Sequence, residues 1–396
     1  MATKNPCFTQ YKPNYLLLYA YLIFGLYKSL HMLIADIITY LETLAPPTLQ
    51  EGYDNAGLIT GNATWECSGV ICSLDVTEEV IREAIANNCN LIVAHHPIVF
   101  NGLKKITGKN YVERTVIAAI KNDIAIYAIH TNLDNTITGV NGKIAELLGL
   151  QNVQVLQPKA GQLQKLITFV PLQQAAQVRD AIFNAGGGQI SNYTECSFNT
   201  DGVGTFKAGD GTNPYVGNVG EQHQEAETRV EIIFAAHLQQ TIIAAMKAAH
   251  PYEEVAYDII PLLNEHRQTG AGLVGNLPKP VPEIEFLQIL KKVFQVPVIK
   301  HTALLQKNIQ RVALCGGAGS FLINNALRNK ADIFITGDMK YHEFFDADNR
   351  LIIADIGHYE SEQFTINLLA DSLAKKFTTF AVLKTKANTN PVRYFY

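Results

Sequence analysis

Short apolar runs that close in histidine or a carboxylate recur along this chain and set the first expectation of its fold. LIVAHHP ends in His95 and His96, and IAIYAIHTNLD ends in His130 and Asp134. Further on, IFITGDMKYHE carries Asp338 and His342, and RLIIADIGHYESE carries His358 and Glu362. Apolar runs of this length bounded by polar residues read as strands buried on both faces, and the helical patterns between them read as the crossovers that parallel strands require. In such α/β folds the loops at the carboxyl ends of the strands bind ligands, so the histidines and carboxylates fall where a site is expected.

Two of these stretches match without a gap. VICSLDVTEEVIREAIANNCNLIVAHH and VALCGGAGSFLINNALRNKADIFITGDM share a plan of strand, turn, helix and strand, and Cys72 is as far from His95 as Cys315 is from Asp338. The match reads either as two copies of one βαβ unit or as the likeness that any two such units share. Between the halves, KLITFVP, LQQAAQVRDAIFNAGGG, a polar strand region over 193–206, TRVEIIF, LQQTIIAAMKAAH and VAYDIIPL follow in a βαββαβ, ferredoxin-like order, with a glycine-rich loop or hairpin over 202–220. The expected fold is therefore α/β: two similar halves, 32–152 and 270–396, forming one core, with an α+β domain inserted at 153–269. Residues near 155 and 268 should then be neighbours.

Residues 1–31 depart from this pattern. YLLLYAYLIFGLY is too short for a firm membrane span and lacks a small-residue cleavage site, while LIADIITYLETLAP after Met32 is an amphipathic helix closed by Pro46 and Pro47. The segment reads as a non-native extension, or alternatively as an interfacial anchor helix.

Composition narrows the function classes. With 47% hydrophobic and 17% charged residues, 396 residues can bury a large core, and a net charge of −4 without a basic run argues against binding dominated by nucleic-acid phosphates. Six scattered cysteines without a CxxC pair fit a reducing cytoplasm.

Histidine and carboxylate together suit zinc, iron, manganese or nickel. Adjacent strand-end side chains point in different directions, so His95 and His96 could each reach a different ion. His358 and Glu362, four residues apart, share one face of a helix beginning where the strand ends, which leaves Glu360 pointing elsewhere. Each residue also has an ordinary reading: a satisfied buried histidine, a turn aspartate, or helix-start acids. The coincidence at matched strand ends favours metal.

LQEGYDNAGL, AHHPIVFNGLKKIT, AIHTNLDNT, AHPYEEVAYDIIPL, TGDMKYHE and DIGHYESE, in this order from Met32 onward, resemble the Nif-three-like dinuclear-metal proteins, often labelled GTP cyclohydrolase I type 2 homologues. The resemblance implies two divalent ions held by His95, His96, Asp134, His358 and Glu362, with His130 and His342 beside them as candidates for proton transfer. It also implies a toroidal homohexamer, a trimer of dimers, and a middle region like the PII or CutA regulatory domains. The function it implies is metal-dependent hydrolysis of a small-molecule substrate; the alternative is a regulatory or adaptor hexamer whose insert senses a small-molecule effector. Neither a nucleic-acid nor a membrane partner is expected, unless the extension is an anchor. Three further features carry less weight: CGGAGS as a phosphate loop or a tight turn, Lys104 and Lys105 as anion contacts or a solvated loop, and HPYEEV as a structural turn that docks the insert.

Overall fold

The computed structural model describes residues 32–395, and the expectations for 1–31 lie outside them. The described residues fall into two compact units, each built from several passes of the chain.

The first unit comprises the chain up to Thr43, Asn55–Ile129 and Leu369–Thr389. It opens with helix α1 (Ile34–Leu44), which buries Ile34, Ile37 and Leu41 at helical spacing. Strands β1 (Gly57–Thr60), β2 (Val70–Ser73), β3 (Leu91–Ala94) and β4 (Ala125–Ala128) follow, with α2 (Glu78–Ala86) and α3 (Tyr111–Lys121) as the crossovers. Every residue of β2, β3 and β4 is buried, as their unbroken apolar runs require. The two crossover helices start on side-chain caps, Thr77 accepting from the Val80 amide and Asn110 from the Glu113 amide. These strands make a sheet of order β1-β4-β3-β2-β15, in which β15 (Val382–Lys384) comes from near the C-terminus. β2, β3, β4 and β15 are parallel and β1 is an antiparallel edge. Strand β15 went unforeseen: three residues, the last of them Lys384, carry too little periodicity to be read.

The second unit comprises Leu44–Asp54, His130–Leu368 and the chain from Asn390. Helices α4 (Thr131–Asp134) and α5 (Val140–Leu147) lead into β5 (Gln151–Pro158). After the middle region come β10 (Gly270–Pro282), α8 (Glu283–Phe294), β11 (Lys300–His301), β12 (Asn308–Ala318), α9 (Ile323–Arg328), β13 (Ile333–Gly337), β14 (Ile352–Asp355) and α10 (His358–Glu362). The sheet order is β11-β14-β13-β12-β10-β5, with β12, β13 and β14 parallel. Its first four positions repeat β1-β4-β3-β2 of the other unit, and Cys72 and Cys315 occupy corresponding buried strands. The gap-free match thus describes a shared topology. The next strand differs, since β15 runs parallel to β2 while β10 runs antiparallel to β12.

The middle region forms β6 (Leu163–Pro171), α6 (Ala175–Asn184), β7 (Phe198–Lys207), β8 (Gln222–Ala235), α7 (Gln239–Ala249) and β9 (Tyr257–Leu262). All its pairings are antiparallel and the order is β7-β8-β6-β9, the order of a split βαβ sheet. Val178, Ile182, Ile242 and Met246 of the helices pack on Leu166, Val170, Val230, Ile232 and Phe234, covering one face. Lys159 donates its amide to the Thr269 carbonyl at 3.0 Å and Pro158 pairs with Gly270, so the chain leaves and re-enters the six-stranded sheet at one place. The glycine-rich stretch is only partly a loop, because residues up to Lys207 are strand. Glycines weaken a strand signal without preventing pairing along the full length of β7. Among the described residues no helix is long and apolar enough to cross a membrane.

Candidate metal centre

Two histidines stand at the carboxyl end of β3 in the first unit. His95 is fully buried, and its Nδ1 lies 2.8 Å from the Ile129 carbonyl oxygen. A carbonyl only accepts, so Nδ1 carries the proton and Nε2 is left as the nitrogen able to bind a cation. His96 is held the same way by Asp75, with Nδ1 and Oδ1 at 2.8 Å, while the second Asp75 oxygen accepts from the Thr389 hydroxyl at 2.7 Å. The two rings stand 4.9 Å apart at 43°, so they do not stack face to face.

The other expected residues lie in the second unit. His130, just before α4, sets Nδ1 2.8 Å from Oδ1 of Asp54, whose side chain is fully buried. The other Asp54 oxygen accepts from both the amide and the hydroxyl of Thr131. Asp134 ends the single turn of α4, its neighbour Asn135 tied to Leu49 and Glu51. His358 opens α10 with Nδ1 2.7 Å from Asp338 and Nε2 3.2 Å from Glu362, the expected four-residue pairing on one helix face. Glu360 turns away, as anticipated, to accept from Asn390 at 3.0 Å and Tyr394 at 3.1 Å.

The close approach of Glu362 to β12 depends on glycine. A Cβ on Gly317, whose φ is +63°, would fall 2.5 Å from Glu362 Oε1. The amides of Gly316, Gly317 and Gly319 are already donated to Asn141, Ser361 and Thr336. CGGAGS is therefore a packing turn whose glycine amides are already engaged. The two carboxylates leave a mark on their surroundings: the Cys315 thiol is pushed far up, first by burial and then by Asp134 and Glu362.

Three groups of side chains have ligand atoms within 4.8 Å of one another and could hold a metal ion: His95, His96 and His130; His96, His358 and Glu362; and His95, Asp134 and Glu362. Every residue expected as a ligand is in at least one group. His130 is in one as well, while His342 is in none; it is exposed, with its ring against Tyr341 and Phe345. The donor set fits a divalent cation, because the imidazoles are oriented through Nδ1 and carboxylates, buried Glu362 and half-buried Asp134, stand among them.

Residues 32–391 match the model of the family described as Duf34/NIF3 (NGG1p interacting factor 3). The chain belongs to the DUF34/NIF3 family. A relative from Halalkalibacterium halodurans, called GTP cyclohydrolase 1 type 2 homolog, is 42% identical over 81% of this chain and 87% of its own length. One of the same name from Bacillus subtilis is 36% identical over 91% of this chain and 98% of its own. Among solved structures, a Bacillus cereus protein related to NIF3 matches with a TM-score of 0.81 and 38% identity, covering 91% of this chain and 98% of that one.

In this DUF34/NIF3 chain the sequence reading missed the parts played by Asp54 and Asp75, which orient His130 and His96. A signal existed for Asp75. It stands just past β2 as Asp338 stands just past β13, and each partners a histidine that follows the next parallel strand, His96 after β3 and His358 after β14. Asp75→Asn should keep the fold, since the amide can still accept from Thr389, yet weaken metal binding by roughly 10–100-fold, the usual cost of losing a carboxylate behind a ligating histidine. Competition with a chelator of known affinity measures this, and unchanged affinity would show that His96 needs no such orientation.

Proposed function

We propose that this protein is a hydrolase that depends on two divalent metal ions, with His95, His96, Asp134, His358 and Glu362 as their ligands. The observation that carries the reading is the shared build of the histidines: His96, His130 and His358 each give Nδ1 to a carboxylate, and His95 gives it to a carbonyl. Imidazoles held in one tautomer by an acceptor are ready to ligate or to take a proton through Nε2. Bound there, divalent cations would lower the pKa of a water and stabilise developing negative charge.

The chain's own contribution to the reaction is then proton handling and positioning. His130, held by Asp54, is the residue we assign to proton transfer, because its Nε2 is the basic nitrogen once Nδ1 is engaged. Asp54 keeps that ring from flipping and fixes the tautomer that presents Nε2. A nucleotide ring, a phosphoester or an amide is consistent with this chemistry, and the name carried by the relatives points to the first. Assembly as a homohexamer, implied by the sequence resemblance, belongs to the same proposal.

A second reading, a metal-binding regulatory hexamer without turnover, draws support from the cavity described below on the four-stranded sheet. An assay of metal-loaded protein against GTP, phosphoesters and amides separates the two. Hydrolysis of one class that is lost in Glu362→Ala supports the enzyme, and no turnover above the metal-free protein in any class supports the regulator.

A further inference from the structure

The four-stranded sheet has one face covered by α6 and α7 and carries a cavity of about 500 Å³ whose lining includes residues of its other face. Alternation along the strands puts Phe169 of β6, Thr200, Gly202, Gly204 and Phe206 of β7, and Glu227 and Arg229 of β8 on that face. The HPYEEV segment supplies the wall through Tyr252 and Glu254. That motif therefore lines a cavity as well as making a turn.

The wall is built on buried polar contacts. His250 places Nε2 3.0 Å from the Phe169 carbonyl and accepts the Tyr252 amide on Nδ1 at 3.1 Å, so it is a neutral imidazole locked in one tautomer. Tyr252, fixed in this way, donates its hydroxyl to Glu227 Oε1 at 2.7 Å. Glu227 is only 8% exposed and lines the cavity, and a Cβ on Gly204 would fall 2.1 Å from its Oε2. Gly204 of β7 thus makes room for a carboxylate at the cavity floor. Phe206 and Tyr252 stand beside it with ring centroids 6.2 Å apart. The one cationic side chain in the lining, Arg229, is paired with Glu231 at 2.9 Å.

We propose that this cavity binds a small organic cation, an alkylammonium or guanidinium ion, with Glu227 as its counter-charge and Phe206 and Tyr252 as its aromatic wall. A carboxylate in a cavity with aromatic walls is attractive to a cation and repels an anion, and the cavity is large enough for a small molecule. A metal ion is the less suitable occupant, since none of the ligand groups among the described residues includes a residue of this cavity. The raised pKa of Tyr252, caused by burial and then by Glu227 and Glu225, agrees with a negative environment.

Equilibrium dialysis of the full-length protein tests this, with agmatine and tetramethylammonium as probes and glutarate as the anionic control. Saturable binding of at least one cation is expected, weakened roughly tenfold or more in Glu227→Gln, the scale of a lost charge-assisted contact. Tyr252→Phe keeps the ring and the carboxylate, so it should bind within a few-fold of the wild type while Tyr252→Ala binds less. The proposal is overturned if neither cation binds saturably at millimolar concentration, if glutarate binds as well as the cations, or if Glu227→Gln binds as the wild type does. It stands apart from the metal-centre reading, because none of these variants touches a proposed metal ligand.

Discussion

Glu362→Ala is expected to empty most of the metal from this protein. Glu362 is 3% exposed, sits 3.2 Å from the Nε2 of His358 and belongs to two of the three ligand groups. Loss of a direct carboxylate ligand should exceed the roughly 10–100-fold penalty typical of removing an outer partner. Elemental analysis after dialysis gives the result, and Glu360→Gln is the control, because Glu360 is equally buried but spends its carboxylate on Asn390 and Tyr394. Without metal the sign of the stability effect should differ. Carboxylate oxygens of Asp134 and Glu362 lie within 4.8 Å of each other, so removing the buried Glu362 relieves like-charge repulsion, and the metal-free variant should melt no lower than the metal-free wild type. Metal content equal to the wild type in Glu362→Ala would remove Glu362 from the site.

His130→Ala and His358→Ala should part company. Both histidines precede a carboxylate by four residues and both lean through Nδ1 on an aspartate, Asp54 and Asp338. His358 shares its short helix with Glu362, and its loss should release metal outright. His130→Ala should keep most of the metal and lower any hydrolytic rate by roughly 10²-fold or more, the scale of a lost general acid or base. Both residues belong to groups that could hold a metal ion, which makes the comparison decisive. If His130→Ala empties the protein as His358→Ala does, His130 is a ligand and the proton is moved by another group.

Much of this arrangement was legible before any coordinates. β2, β3, β4, β13 and β14 announce themselves as unbroken apolar runs, and parallel strands place the residues that follow them at one end of a sheet, so His95, His96, His130 and His358 could be nominated from position alone. The pairing of His358 with Glu362 follows from helical spacing. What could not be read is what depends on contacts distant in sequence. Asp54 reaches His130 across 76 positions and Thr389 reaches Asp75 across 314, and no local periodicity encodes either. The role of CGGAGS was ambiguous for another reason: a phosphate loop and a tight packing turn need the same glycines, and only the partners of their amides, Asn141, Ser361 and Thr336, decide between them. His342 shows the limit of proximity in sequence. It lies four residues past Asp338, yet the intervening chain turns it outward onto Tyr341 and Phe345.

The most direct measurement is the metal content of the wild-type protein, loaded with zinc, manganese, iron or nickel in turn and freed of excess by gel filtration. Two ions per chain for at least one of these metals, about the capacity of five ligands with bridging water, is the expected result. A plateau at one ion or none with every metal would contradict the account.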